Sequence, residues 1–142
     1  MTSTDILESL LVSTHRLTRV AAQATGNTTP AGVWRTLSIL ATDGAMRIGE
    51  LAASSRISQP AMTRLLPTLV EEELVYRIAD VADSRAWLIA ISAKGHTALE
   101  EWKRELAAHM EPLLGDLSAA DWATLADSAA ILQSRLGTHL AA

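Results

Sequence analysis

The stretch RIGELAASSRISQPAMTRLLPTLV, residues 47–70, constrains the fold more than any other part of the chain. Residues 47–54 read as a short helix around Ile48, Leu51 and Ala52. Ser58 caps a second helix, with Pro60 in its first turn and Ile57, Met62, Leu65, Leu66 and Leu69 as its apolar positions. Only the tight connection SSRIS lies between them. Leu51, Ile57, Met62 and Leu65 are placed to fill the space between the two helices, and small Ala52 sits where they approach most closely. Two short helices joined in this way leave one face of the second helix uncovered: Gln59, Pro60, Ala61, Thr63 and Arg64.

This is the helix-turn-helix pattern. The uncovered residues suit the major groove of double-stranded DNA. Gln59 can read adenine, Arg64 can read guanine or hold a phosphate, and Ala61 and Thr63 can meet a thymine methyl. Helix-start amides near Ser58 can hold a phosphate. A hairpin follows directly. Leu74–Ala79 and Ala86–Ser92 are rich in β-branched and aromatic residues and read as strands, joined by Asp80–Arg85. A recognition helix followed by such a hairpin makes a winged helix. Arg85 at the tip is suited to a narrow minor groove, and Asp83 is placed to hold its guanidinium by a charged hydrogen bond.

The formal net charge of −4 does not oppose this reading, because only the docking face must be positive. Residues 51–70 hold Arg56 and Arg64 and no acid. Ten of the 12 basic residues are arginine, the side chain suited to bidentate contacts with phosphate or guanine.

The rest of the chain reads as helix. In residues 5–24, Leu7, Leu10, Leu11, Thr14, Leu17 and Ala21 recur at spacings of three and four, and Gly26-Asn27 ends the run. Thr29 caps a second helix with Pro30 at its first position, Val33, Trp34, Leu37 and Leu40 form its buried face, and Asp43-Gly44 closes it. Ser92 caps a long fifth helix with Leu99, Trp102, Leu106, Met110 and Leu113 on one stripe. Ser118 and Asp121 form a capping box that opens a sixth, with Trp122, Leu125, Ala129, Leu132, Leu136 and Leu140. The predicted order is α-α-α-α-β-β-α-α, mainly α with a small β-hairpin wing, in one 1–142 subunit. Residues 30–92 carry enough apolar positions for a core of their own. The stripes of 5–24 and 93–140 then need another partner, and a second copy of the chain is the simplest.

The stretches ELAASSRISQPAMTRLL, LVYR and DSRAWLIAISAKG resemble the MarR (multiple antibiotic resistance regulator) family of winged-helix transcription regulators, and the helix order matches along nearly the whole chain. The resemblance implies a homodimer built from the first, fifth and sixth helices. It further implies a palindromic operator, usually repression, and often release by a small ligand. It places Arg77 at the base of the wing among the DNA contacts. Ligands in the family usually sit between the dimer helices and the DNA-binding lobe. That position makes His15, Arg16, Arg19, Trp34 and Arg35 the candidates here for a small aromatic or anionic effector. Three residues depart from the pattern. Glu73 stands where glycine commonly ends the recognition helix, so that end is expected to be built differently. Pro67 is expected to kink the helix. Ile78 replaces a second basic residue after Arg77.

Other classes find less in the chain. It has no cysteine, which excludes disulfides, thiol sensing and cysteine-ligated zinc. No apolar run approaches the ~20 residues of a membrane span. The N-terminus lacks a basic n-region, which predicts a cytoplasmic protein. For that reason Asn27 in its sequon is not read as a glycosylation site. His15, His96, His109 and His139 are scattered, with no metal-binding spacing, no phosphate-binding glycine loop and no nucleophile elbow, so neither catalytic residues nor a cofactor are expected. The alternatives are a winged helix used only for protein contacts and, through His109 and nearby acids, a metal-sensing regulator.

Overall fold

The computed structural model describes residues 1–26 and 28–141, with the side chains of all of these except 138–141. The expectations for Asn27 and for the side chains of His139 and Leu140 lie outside this set. The elements are α1 (Ser3–Thr25), α2 (Ala31–Asp43), β1 (Met46–Arg47), α3 (Ile48–Ser55), α4 (Gln59–Glu71), β2 (Val75–Ala79), β3 (Trp87–Ile91), α5 (Ala93–Met110), a single 3-10 turn (Glu111–Leu114) and α6 (Ala119–Ala141). They fall into two compact units, one of residues 29–101 with 118–142, the other of residues 1–28 with 102–117.

The core lies almost wholly in the first unit. Leu37 and Leu40 of α2, Leu51 and Ala52 of α3, Met62, Leu66 and Leu69 of α4, Val75 and Ile89 of the sheet and Leu99 of α5 are all buried. The periodicity of α4 explains its share. Met62, Leu66 and Leu69 recur at spacings of four and three and point inward, while Thr63, Arg64, Pro67 and Thr68 between them are exposed. Burying a leucine side chain contributes roughly 1.5–3 kcal/mol, so these positions fix how the short helices pack.

The sheet has three strands, not two. Its order is β1-β3-β2, with Met46 opposite Ile89 and Arg47 opposite Leu88 on one side of β3, and Val75 opposite Ile91 through Ala79 opposite Trp87 on the other. β1 makes β3 the central strand and fastens the wing to the start of α3. Two residues are too few to carry a period of two, which is why the sequence pattern does not contain it.

Helix ends account for the other departures. Pro30 is itself the N-cap of α2, without a side-chain cap bond, in place of the expected Thr29 cap. α1 gains a capping box beyond those expected from the sequence: the Thr2 hydroxyl accepts from the Asp5 amide at 3.1 Å and the Asp5 carboxylate accepts from the Thr2 amide at 2.8 Å. Those bonds from Thr2, the backbone one foremost, hold the Asp5 carboxyl below its ordinary value. Ser118 caps α6 by accepting from the Asp121 amide at 3.1 Å. α4 runs on through Pro67 to Glu71.

The end of α4 corrects an expectation. Glu73 adopts the left-handed conformation, φ 62°, that glycine would normally supply. The Leu74 amide donates to the Leu69 carbonyl at 2.9 Å and the Glu73 amide to that of Val70 at 3.0 Å, the paired bonds of a Schellman ending. Arg56 ends α3 in the same way, at φ 58°, with Ile57 bonded to Ala52 and Arg56 to Ala53. Both helices stop where a glycine-ended helix would, at the cost of a side chain in a region that disfavours it by roughly 1–2 kcal/mol.

Candidate nucleic-acid interface

Ser58 opens α4 by accepting a hydrogen bond from the Ala61 amide at 3.2 Å. Pro60 has no N–H to offer. Of the first-turn amides this leaves that of Gln59, a smaller anion site than the sequence suggests. The Gln59 side chain is folded back over the first turn of α3. A Cβ on Gly49 would stand 3.3 Å from its Oε1, close enough that the amide would have to give by a few tenths of an ångström. Ala61 is half-buried, whereas Thr63 and Arg64 are exposed. The Thr63 hydroxyl donates to the Gln59 carbonyl at 2.9 Å.

The wing tip is two successive turns, each organised by an aspartate. The Asp83 amide donates to the Asp80 carbonyl at 3.2 Å and the Ala86 amide to the Asp83 carbonyl at 3.0 Å. Each carboxylate also accepts from the backbone two residues on: Asp80 from the Ala82 amide at 2.9 Å, Asp83 from the Arg85 amide at 3.0 Å. The role expected for Asp83 changes accordingly. Its oxygen lies 3.9 Å from the Arg85 Nε, beyond a hydrogen bond, and the Arg85 side chain is 92% exposed. Asp83 shapes the turn that carries Arg85 and leaves the guanidinium projecting into solvent.

Asp80 ties the wing tip to the start of α3, a link that the sequence does not single out. Arg47 donates to it through Nε at 2.8 Å and approaches it through a second guanidinium nitrogen at 2.7 Å. Both nitrogens meet the same carboxylate oxygen, Oδ2, and the ion pair joins the residue ahead of α3 to the base of the wing tip across 33 positions of sequence. The hydrogen bond from Arg47 is the main reason the Asp80 carboxyl is held below its ordinary value; the Ala82 amide adds to it. The aspartates at 80 and 83, each starting a turn, are the signal in the sequence that could have found it.

The arginines divide into two sets. Arg47 is spent on Asp80, and Arg35 donates to the Ser55 carbonyl at 3.4 Å. Arg56 in the turn between α3 and α4, Arg64 on α4 and Arg77 on β2 are exposed and, among the described residues, make no ion pair. With Arg85, whose guanidinium lies 3.9 Å from Asp83, they are exposed cations of the turn, α4 and the wing. Arg56, absent from the site residues expected from the sequence, belongs with them.

The wing must be set accurately against α4, and Gly95 does this. A Cβ there would come within 2.2 Å of the Leu74 carbonyl oxygen and 2.8 Å of Ile91. The Ser92 hydroxyl donates to the Glu73 carbonyl at 2.5 Å and accepts from the Gly95 amide at 2.9 Å. The segment SAKG thus locks the end of α4, the base of the wing and the start of α5 into one joint.

Residues 31–87 match the family model described as the MarR family. An uncharacterised HTH-type transcriptional regulator of Mycobacterium bovis is 34% identical over 94 residues, which cover 60% of this chain and 66% of that protein. Residues 31–87 are a MarR-family domain. A second uncharacterised HTH-type regulator, from Mycobacterium leprae, is 34% identical over 68 residues, 48% of each chain. The match therefore spans just under two thirds of the first of these relatives and about half of the second. Solved MarR-like structures agree on the fold over nearly the full length. A transcriptional regulator of Thermotoga maritima superposes with a TM-score of 0.68 at 20% identity, covering 98% of this chain and 96% of that one. A MarR family protein of Bacillus stearothermophilus gives 0.68 at 19%, covering 96% and 98%.

The effector candidates are divided between the two units. His15, Arg16 and Arg19 line one open groove on α1 together with Leu11 and Val12. Trp34 and Arg35 lie on α2, in the other unit. Among the described residues no three histidine, aspartate or glutamate side chains converge, and His109 Nδ1 sits 2.9 Å from the Glu105 carbonyl of its own helix. No described helix is long and apolar enough to cross a membrane.

Proposed function

We propose that this chain is a sequence-specific DNA-binding transcriptional regulator, a cytoplasmic repressor that acts as a homodimer on a palindromic operator. The observation that carries the reading is the pairing of an exposed recognition face, Gln59, Thr63 and Arg64, with a wing whose Arg85 is 92% exposed and held out by a built turn. Arg64 reads a base edge or holds a phosphate beside it, Arg77 contacts phosphate at the wing base, and Arg85 enters the minor groove. Ser58, Pro60 and Ala61 bring the helix start close to the duplex. In this organisation residues 30–92 are the DNA-binding lobe, and 5–24 with 93–140 form the dimer. Support for the dimer comes from apolar side chains left in water: Leu7, Leu11 and Val12 on α1, and Trp122, Leu125, Ile131 and Leu136 on α6.

For the effector, the groove of His15, Arg16 and Arg19 joins cationic groups to the apolar side chains of Leu11 and Val12. That combination suits a small aromatic carboxylate, whose binding lowers operator affinity.

The reading is tested by titrating the purified protein against selected operator DNA at fixed salt. Arg64→Ala should change the preferred base within a half-site at a cost of about 1–3 kcal/mol. Arg85→Ala should weaken every site and reduce the preference for A·T-rich flanks. A protein that binds no DNA, and instead retains a partner protein through the same face, would favour the interaction-module alternative.

A further inference from the structure

Between the recognition helix and the wing lies an open groove. Its lining includes Gln59 at the start of α4, Glu50 in the first turn of α3, Arg77 and Trp87 on the wing strands, and Arg85. Trp87 is 58% exposed, an unusual place for the side chain with the most apolar surface to hide. Opposite it in the sheet is Ala79, too small to cover an indole. Arg77 lies on the same face two pairs further along, opposite Ile89, within diagonal reach of the ring. The indole N–H makes no hydrogen bond among the described residues.

A duplex that receives α4 in its major groove and Arg85 in the adjacent minor groove has one sugar–phosphate strand separating the two. That strand must cross the surface between α4 and the wing. We propose that Trp87 is the contact for this strand. Its Nε1–H donates to a phosphate oxygen, its ring packs on the neighbouring deoxyribose, and Arg77 beside it meets the phosphate charge. The Glu50 carboxylate on the same groove repels phosphate and so sets the far boundary, keeping the strand on the Trp87 side. The assignment rests on the DNA-binding reading above. It adds a residue that is neither a base reader nor a minor-groove finger, one that fixes the register between the other two.

The test uses the full-length protein and an operator selected with the wild type. Affinities of wild type, Trp87→Phe, Trp87→Ala and Arg77→Ala are measured over a salt series, with thermal unfolding as a control for folding. Because the indole is uncharged, Trp87→Ala should weaken binding about ten- to a hundredfold with the salt slope unchanged. Trp87→Phe keeps a ring without the N–H and should fall between the two. Arg77→Ala should make the slope shallower by about 0.9 for each phosphate that the arginine neutralises. Intrinsic fluorescence supplies a second readout: the change on adding operator should be present in the wild type and largely abolished in Trp87→Phe. If the wild type binds and Trp87→Ala binds equally well, with the fluorescence change intact in Trp87→Phe, the proposal is overturned and the DNA-binding reading stands. If the wild type binds no DNA, both fall together.

Discussion

The segment from Val33 to Leu99 and the outer helices α1 and α6 are built from similar apolar content and put it to different use. In the former, apolar side chains from α2, α3, α4, the sheet and the start of α5 meet one another and are buried. In the unit of residues 1–28 and 102–117, Ala21 is the buried residue among those described, and Leu7, Leu11, Val12, Leu17 and Leu113 are exposed. α6 is likewise uncovered at Trp122, Leu125, Ile131 and Leu136. A stripe at helical spacing records that a face is to be buried and says nothing about what buries it. Inside the lobe the chain itself covers the face. On α1 and α6 a second copy is proposed to do so.

Five variants can break or sharpen this contrast. The largest effect is expected on α6. Leu132→Glu with Leu136→Glu places two unpaired charges in the proposed seam, at a cost of about 3–5 kcal/mol. The dimer dissociation constant should rise by a hundredfold or more in sedimentation equilibrium, while the lobe keeps its circular dichroism. Gly95→Ala comes next and acts on the lobe. A methyl within 2.2 Å of the Leu74 oxygen forces the joint apart. Overpacking of this kind typically costs about 1–3 kcal/mol, read as a lower Tm. Glu73→Gly and Arg56→Gly should each act in the opposite direction. Relief of the left-handed strain, less the greater freedom of glycine in the unfolded chain, should stabilise by about 1 kcal/mol in urea unfolding.

The smallest effect concerns the Arg47–Asp80 link. The Asp80 carboxyl has a folded value below its ordinary 3.8, chiefly through its bond with Arg47. Its contribution is therefore complete above the unfolded value and is lost as pH falls through the lower folded one. Asp80→Asn should be less stable than the wild type at neutral pH, and the difference should close as the solution is acidified below that ordinary value. A difference that stays constant across the range would mean the carboxylate charge is not what holds the wing.

The parts of this molecule that are legible in the sequence are those with a period or a local chemical cue. The alternation of Met62, Leu66 and Leu69 with Thr63 and Arg64 marks which face of α4 is inward, and Ser58 and Pro60 mark where the helix begins. The wing strands declare themselves by β-branched content. What escapes depends on contacts between distant residues. β1 is two residues long, and its pairing with β3 is settled only by the packed sheet. Arg47 finds Asp80 across 33 positions: the turn that Asp80 starts is legible locally, but its partner is not. Glu73 and Arg56 contradict the local preference for glycine because the bonds from Leu74 to Leu69 and from Ile57 to Ala52 outweigh it. Asp83 is tied to Arg85 as its spacing suggests, but through the main chain, a distinction that a one-dimensional pattern does not carry.

The most direct test of the central claim, that the uncovered outer helices make a dimer whose two lobes reach two half-sites, is a stoichiometric titration of the protein on operator DNA. Sedimentation velocity would follow one duplex carrying the inverted repeat and another with one half-site scrambled. Two recognition helices related by a dyad should meet successive major grooves about 34 Å apart. The expected result is two chains bound together per inverted repeat, at much lower protein concentration than on the scrambled duplex, and loss of that advantage in the Leu132→Glu, Leu136→Glu variant. A single chain bound per half-site, with equal affinity for both duplexes and no effect of the α6 substitutions, would contradict it.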